Sequence, residues 1–85
     1  MQNNTAIVTF KAPKKNISVD LEIPLDISAN DLVEALNTAY KLGINLLDMK
    51  DLYLQAERPV VLLRGNKTLA ELGVRTGCII YFNRD

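Results

Sequence analysis

Ile17-Ser18-Val19-Asp20-Leu21-Glu22-Ile23 alternates apolar and polar residues without a break. A strand turns successive side chains to opposite faces, so this run predicts a strand with one face buried and the other in water. Thr5 to Ala12 upstream is rich in β-branched residues and contains Phe10, which predicts a second strand. Between them Pro13-Lys14-Lys15-Asn16 is built of turn formers, so the two strands make a hairpin. Pro24 cannot donate to a ladder, and together with Asp20 and Glu22 it assigns the second strand to a sheet edge.

Downstream, Ser28 is a helix N-cap, with Asp31 near the positive end of the helix dipole. Leu32, Val33, Leu36, Ala39 and Tyr40 recur at three- and four-residue spacing and predict one apolar stripe, stopped at Gly43. The irregular stretch Ile44 to Met49 is expected to plug the open end of the core, with a docking surface as the other reading. Leu52 to Glu57 and Val60 to Leu63 read as short strands split by Arg58-Pro59. Thr68 to Gly73 reads as one helical turn, and Cys78 to Phe82 as a last strand that is apolar on both faces and therefore central.

The hairpin has one apolar face and the only long helix has one apolar stripe, so each must cover the other. With the last strand parallel to the first, the result is an α+β β-grasp (ubiquitin-like) fold: a mixed five-stranded sheet with one main helix across one face. Val19, Leu21, Ile23, Leu32, Leu36, Leu54, Ile80 and Phe82 are the expected core. Neither a repeat nor a linker divides the 85 residues, so residues 1–85 are expected to be one ubiquitin-like domain.

Composition excludes most chemistry. Histidine and tryptophan are absent and Cys78 is the only cysteine, which removes Ser/His/Asp and Cys/His catalysis, histidine and cysteine-rich metal sites, and an internal disulfide. Ten basic residues balance ten acidic ones, so net charge favours neither nucleic acid nor a membrane surface. Met1-Gln2-Asn3-Asn4-Thr5 lacks the charged and apolar regions of a signal peptide, and no apolar run approaches the ~20 residues of a membrane span, so the expected location is the cytoplasm. Cys78 opens an apolar strand and reads as core packing rather than a reactive thiol. Asp20 with Glu22, and Asp48 with Asp51, read as solvated charges, because a calcium site needs a scaffolded loop with about six oxygens. Lys11, Lys14 and Lys15 read as a solvated turn, and Gly65-Asn66-Lys67-Thr68 lacks the glycine spacing of a phosphate loop. No cofactor and no metal are expected.

Period-two alternation also picks out a working surface. With Val8, Phe10, Ile80, Phe82, Leu52 and Leu54 facing the helix, Ile7, Tyr53, Ile79 and Tyr81 turn outward. On three adjacent central strands these four are expected to gather into one exposed apolar and aromatic patch, the kind of composition that protein interfaces favour.

The order of elements resembles ubiquitin over nearly the whole chain. Within that fold the chain resembles the YukD family of type VII (ESX-like) secretion systems. The resemblance rests on Ile7-Val8-Thr9-Phe10, Val19-Asp20-Leu21-Glu22-Ile23-Pro24, Asp31-Leu32-Val33, Leu69-Ala70-Glu71-Leu72-Gly73-Val74 and Thr76-Gly77. It implies a non-enzymatic, cytosolic bacterial accessory protein. The implied partner is a cytoplasmic domain of a secretion membrane component, with no nucleic acid and no direct membrane insertion. The same sheet face carries the main recognition patch in ubiquitin. The alternatives are a ubiquitin-like modifier or sulfur carrier, and a small nucleic-acid-binding module. Modifiers of this fold end in Gly-Gly, whereas this sequence ends Phe82-Asn83-Arg84-Asp85, so conjugation is not expected.

Overall fold

The eight residues of β1 (Thr5–Ala12) pair antiparallel with the eight of β2 (Ile17–Pro24), from Thr5 opposite Pro24 to Ala12 opposite Ile17. A 3-10 turn, Pro13–Lys15, joins them, and Asn16 closes it in the left-handed region at φ 57°, a conformation asparagine tolerates better than most residues. The computed structural model describes residues 4–84, so the expectations drawn from Met1 to Asn3 and from Asp85 lie outside the described residues. After β2 come helix α1 (Ala29–Tyr40) and three short strands, β3 (Leu54–Glu57), β4 (Val61–Leu63) and β5 (Ile79–Tyr81). The sheet order is β2-β1-β5-β3-β4, with β5 parallel to β1 and antiparallel to β3. The chain has the β-grasp fold: β2 is an edge and β5 is central.

One buried cluster joins the sheet to the helix. Val8 and Phe10 from β1, Leu54 from β3, Leu63 from β4 and Ile80 from β5 are buried against Ala29, Leu32, Val33 and Leu36 of α1. Val19 and Leu21, on the edge strand, are only half-buried and pack on the cluster's flank. The helix starts as expected, with the Asp31 N–H donating to Ser28 Oγ at 3.1 Å. Two more of its free N–H groups, on Ala29 and Asn30, donate to the carbonyls of Lys67 and Gly65. The Gly65–Thr68 loop therefore offers the helix start carbonyls, the reverse of a phosphate cradle. None of the helices in the described residues is long and apolar enough to cross a membrane.

Four local expectations need correction. The helix ends at Tyr40, with Lys41 rather than Gly43 taking the left-handed cap, and Ala39 faces solvent. Thr68 to Gly73 keeps one helical-spacing bond, Leu72 N–H to Thr68 C=O, but forms successive turns. They are tied by a reciprocal cap: Glu71 N–H donates to Thr68 Oγ1 and Thr68 N–H to Glu71 Oε1. That bonding, chiefly from the Thr68 backbone, holds the Glu71 carboxyl below its ordinary pKa. The strands β3, β4 and β5 are shorter than their apolar runs, which continue past the ladder as buried loop residues such as Leu52, Cys78 and Phe82.

The fourth correction concerns Ile44 to Met49. Only Ile44 plugs the core, where the Asn37 side chain grips its backbone from both sides, at 2.9 and 3.3 Å. Beyond it, the side chains of Asn45 and Asp48 accept from backbone N–H groups two residues on and curl the chain outward. Leu46, Leu47 and Met49 are left exposed.

Candidate functional site

Pleating puts alternate residues of all five strands on the side away from α1. The register sets Thr9, Ile79 and Glu57 in one row across the centre, and Lys11, Tyr81 and Gln55 in the next. Leu62 on β4 pairs with Gln55 and extends that second row outward.

The β2–β1 half of this face is mainly polar, with Ile7 as its exposed apolar residue, and its threonines and carboxylates satisfy each other. Thr5 Oγ1 donates to Glu22 Oε2 and Thr9 Oγ1 to Asp20 Oδ1, each at 2.9 Å. The β5–β3–β4 half carries apolar and aromatic side chains on β5 and β4, with exposed Gln55 and Glu57 of β3 between them. Ile79 and Tyr81 are half-buried, Leu62 is 46% exposed and Val60 is 86% exposed. A cleft of about 560 Å3 lies between Tyr81 and β4, lined also by Gln55, Glu57, Val60, Leu62 and Asn83.

The Tyr81 hydroxyl donates to Glu57 Oε1 at 3.0 Å, which fixes the ring over the sheet centre. The bond to that carboxylate, with smaller contributions from burial and from the Glu57 charge, pushes the phenol pKa above its ordinary value; Arg58 opposes it weakly. Tyr53 lies diagonal to Tyr81, and the Arg84 guanidinium carbon sits 3.9 Å from its ring centroid, a cation–π contact. Arg84 also donates to the Asp51 carbonyl, so it clasps the segment that enters β3.

The four residues expected to form one patch lie along a diagonal instead. Ile79 and Tyr81 stand together on β5, and Tyr53 joins Tyr81 across a hollow that both line. Ile7 is 54% exposed at the opposite end, where its backbone pairs with Gly77 and Thr76. Six residue levels and two strand spacings separate it from Tyr53, about 20 Å. The alternation did not single out Val60, Leu62 or Arg84. The Val60-Val61-Leu62-Leu63 run is apolar throughout, so its period shows no outward face, and nothing local marks Arg84 as a ring cover.

Cys78 is fully buried, and burial pushes its thiol pKa up against a weaker opposing effect of Arg75. The described residues contain no group of three or more His, Cys, Asp and Glu side chains able to hold a metal.

The family model for protein YukD of the WXG100 protein secretion system matches residues 5–82. The chain belongs to that YukD family. Its solved structural neighbours are ubiquitin-like domains. The C-terminal ubiquitin-like domain of mouse tubulin-specific chaperone e superposes with a TM-score of 0.73 at 11% identity, over 100% of this chain and 91% of that one. A ubiquitin-like domain from tubulin-binding cofactor B gives 0.74 at 22% identity, over 96% and 91%. The tubulin-binding cofactor B of Trypanosoma brucei gives 0.60 at 14%, over 93% of each chain. At these identities the neighbours establish the fold alone. No curated protein sequence matches the chain significantly. This YukD-family chain is thus a ubiquitin-like protein associated with the WXG100, or type VII, secretion system.

Proposed function

We propose that this YukD-family protein is a non-enzymatic, cytoplasmic binding subunit of the secretion system. It engages a cytoplasmic domain of one of the system's membrane components through the outer face of its sheet. Tyr81 and Ile79 are the centre of that face, Tyr53 borders it, and Ile7 lies at its far end. The observation that carries the reading is the contrast within one face: the threonine–carboxylate pairs of β1 and β2 satisfy each other, whereas Ile79 and the Tyr81 ring on central β5, with exposed Leu62 and Val60 toward the β4 edge, present apolar surface. Aromatic and aliphatic side chains held on a rigid sheet lose little freedom on binding, so they suit an interface. The one thiol is buried and held protonated, which supports recognition rather than covalent chemistry.

The test is a pull-down of the purified cytoplasmic domains of the secretion membrane components by the wild type and by the Tyr81→Glu and Tyr53→Glu variants. Binding should fall at least about tenfold for Tyr81→Glu, with circular dichroism and melting temperature nearly unchanged. Equal recovery by all three chains would place the interface elsewhere. A covalent adduct between chain and partner, seen by intact mass, would favour the modifier reading.

A further inference from the structure

The sheet has two open edges, and they are protected differently. On β2 the edge is long, but Pro24, Asp20 and Glu22 blunt it, and both carboxylates are already bound to threonines of β1. On β4 the edge is three residues, Val61–Leu63, whose backbone makes no hydrogen bond beyond its pairing with β3. Exposed Val60 and Leu62 adjoin it, and the 560 Å3 cleft beside Tyr81 opens next to it. Exposed Arg58 and Arg64 stand just before and just after this stretch, and no hydrogen bond or ion pair within the described residues engages either one. The combination is a short, unprotected strand edge, a cleft on one side walled by Val60, Leu62 and Tyr81 with Gln55, Glu57 and Asn83 at its polar rim, and an exposed arginine at each end.

We infer that the free edge of β4 takes a short, extended, acidic segment of a partner protein by strand addition. The segment's backbone pairs with Val61–Leu63, an apolar residue enters the cleft between Leu62 and Tyr81, and carboxylates meet Arg58 and Arg64. The three-residue length of β4 limits the added strand to a few residues, so specificity comes from the cleft and the two charges rather than from a long ladder. The absence of net charge on the whole chain does not weaken this, because steering depends on the local arrangement. The inference rests on the reading of the outer sheet face as the protein-binding face and names the part of it that selects the partner.

The experiment titrates the chain with a short fluorescent peptide of alternating aspartate and valine, and with its lysine–valine counterpart, while following backbone amide resonances. The aspartate peptide should bind saturably and shift the amides of Val61–Leu63 and Tyr81. Binding should be at least about tenfold weaker for the lysine peptide and for the Arg58→Glu/Arg64→Glu double variant. Equal binding of both peptides, shifts confined to β2, or no saturation overturns the inference. So does a concentration-dependent dimer that the double variant abolishes, which would make the occupant a second copy of the chain. The same double variant enters the pull-down above. If it recovers the secretion partner at wild-type level while Tyr81→Glu does not, the edge inference fails and the face reading stands. If Tyr81→Glu also retains the partner, the face reading fails.

Discussion

The two halves of the outer sheet face share one backbone and one buried layer beneath, yet they solve the problem of exposure in opposite ways. On β1, Thr5 and Thr9 alternate outward with Ile7 and Lys11, and the two threonines pair with Glu22 and Asp20 of β2 at 2.9 Å. On β5 and β4 the outward positions hold Ile79, Tyr81 and Leu62, with exposed Gln55 and Glu57 of β3 between them, and among the described residues the Tyr81 hydroxyl bonds to Glu57. A sheet face that existed only to cap the core would need no such asymmetry. The difference teaches that one half is mainly polar and internally paired, with Ile7 its exposed apolar residue, while the other half gathers apolar side chains around Tyr81 that are available for burial against something else.

The comparison assumes that the layer beneath carries the stability and the outer face does not. Neighbouring isoleucines of β5 test this most strongly, because Ile80 is fully buried and Ile79 points the other way. Ile80→Ala removes a core side chain and leaves a cavity, so it should cost about 2–5 kcal/mol. In a domain of this size that is a large share of the total. Ile79→Ala should cost less than about 1 kcal/mol. Chemical denaturation of both variants measures the gap. Comparable losses would mean that the outer face is part of the folding core, and the asymmetry between its halves would lose its functional meaning.

A subtler test uses the single polar tether of the apolar half. The Glu57 carboxylate accepts from the Tyr81 hydroxyl and so favours the neutral phenol. A folded-state pKa raised above the unfolded value contributes stability below the unfolded pKa, and that contribution is lost as pH rises through the folded pKa. The window is therefore alkaline, above the ordinary phenol range. In an ultraviolet phenolate titration, the transition that Tyr81→Phe removes should lie above the ordinary value, and Glu57→Gln should move it down. An unmoved transition would show that the bond does not hold the ring in solution.

The fold was legible because its deciding signals are local and periodic. The alternation of Ile17 to Ile23, the Ser28 cap and the apolar last strand each specify an element, and the burial rule then leaves one way to stack them. The site was legible only in part. Alternation placed Ile79 and Tyr81 outward, but it could not say how far the register carries Ile7 from Tyr53, since that depends on which residues of different strands stand level. Leu62 and Val60 escaped because a short all-apolar run has no readable period. Leu46, Leu47 and Met49 were misread for a related reason: apolar composition predicted burial, while the turns made by Asn45 and Asp48 took the chain out of the core's reach. Arg84 could not be read at all, because its partners Tyr53 and Asp51 are more than thirty positions away.

The smallest expected effect belongs to the polar half. Thr9→Val deletes the hydroxyl that donates to Asp20 and leaves a side chain of nearly the same shape. Water can replace an exposed hydrogen bond at little net cost, and valine favours a strand at least as well as threonine. Stability should therefore change by no more than about 0.5 kcal/mol. The Asp20 carboxylate is freed but stays solvated, so no buried charge is created. Because Thr9 stands level with Ile79, the variant also widens the apolar surface by one residue toward β1. Partner binding in the pull-down should nevertheless stay at the wild-type level, if the boundary between the halves is where the structure draws it. A loss of stability well above 1 kcal/mol would mean that the threonine–carboxylate pairs hold the hairpin register rather than merely solvate it. A loss of binding with stability intact would move the interface across β1 and make the polar half part of the recognised surface.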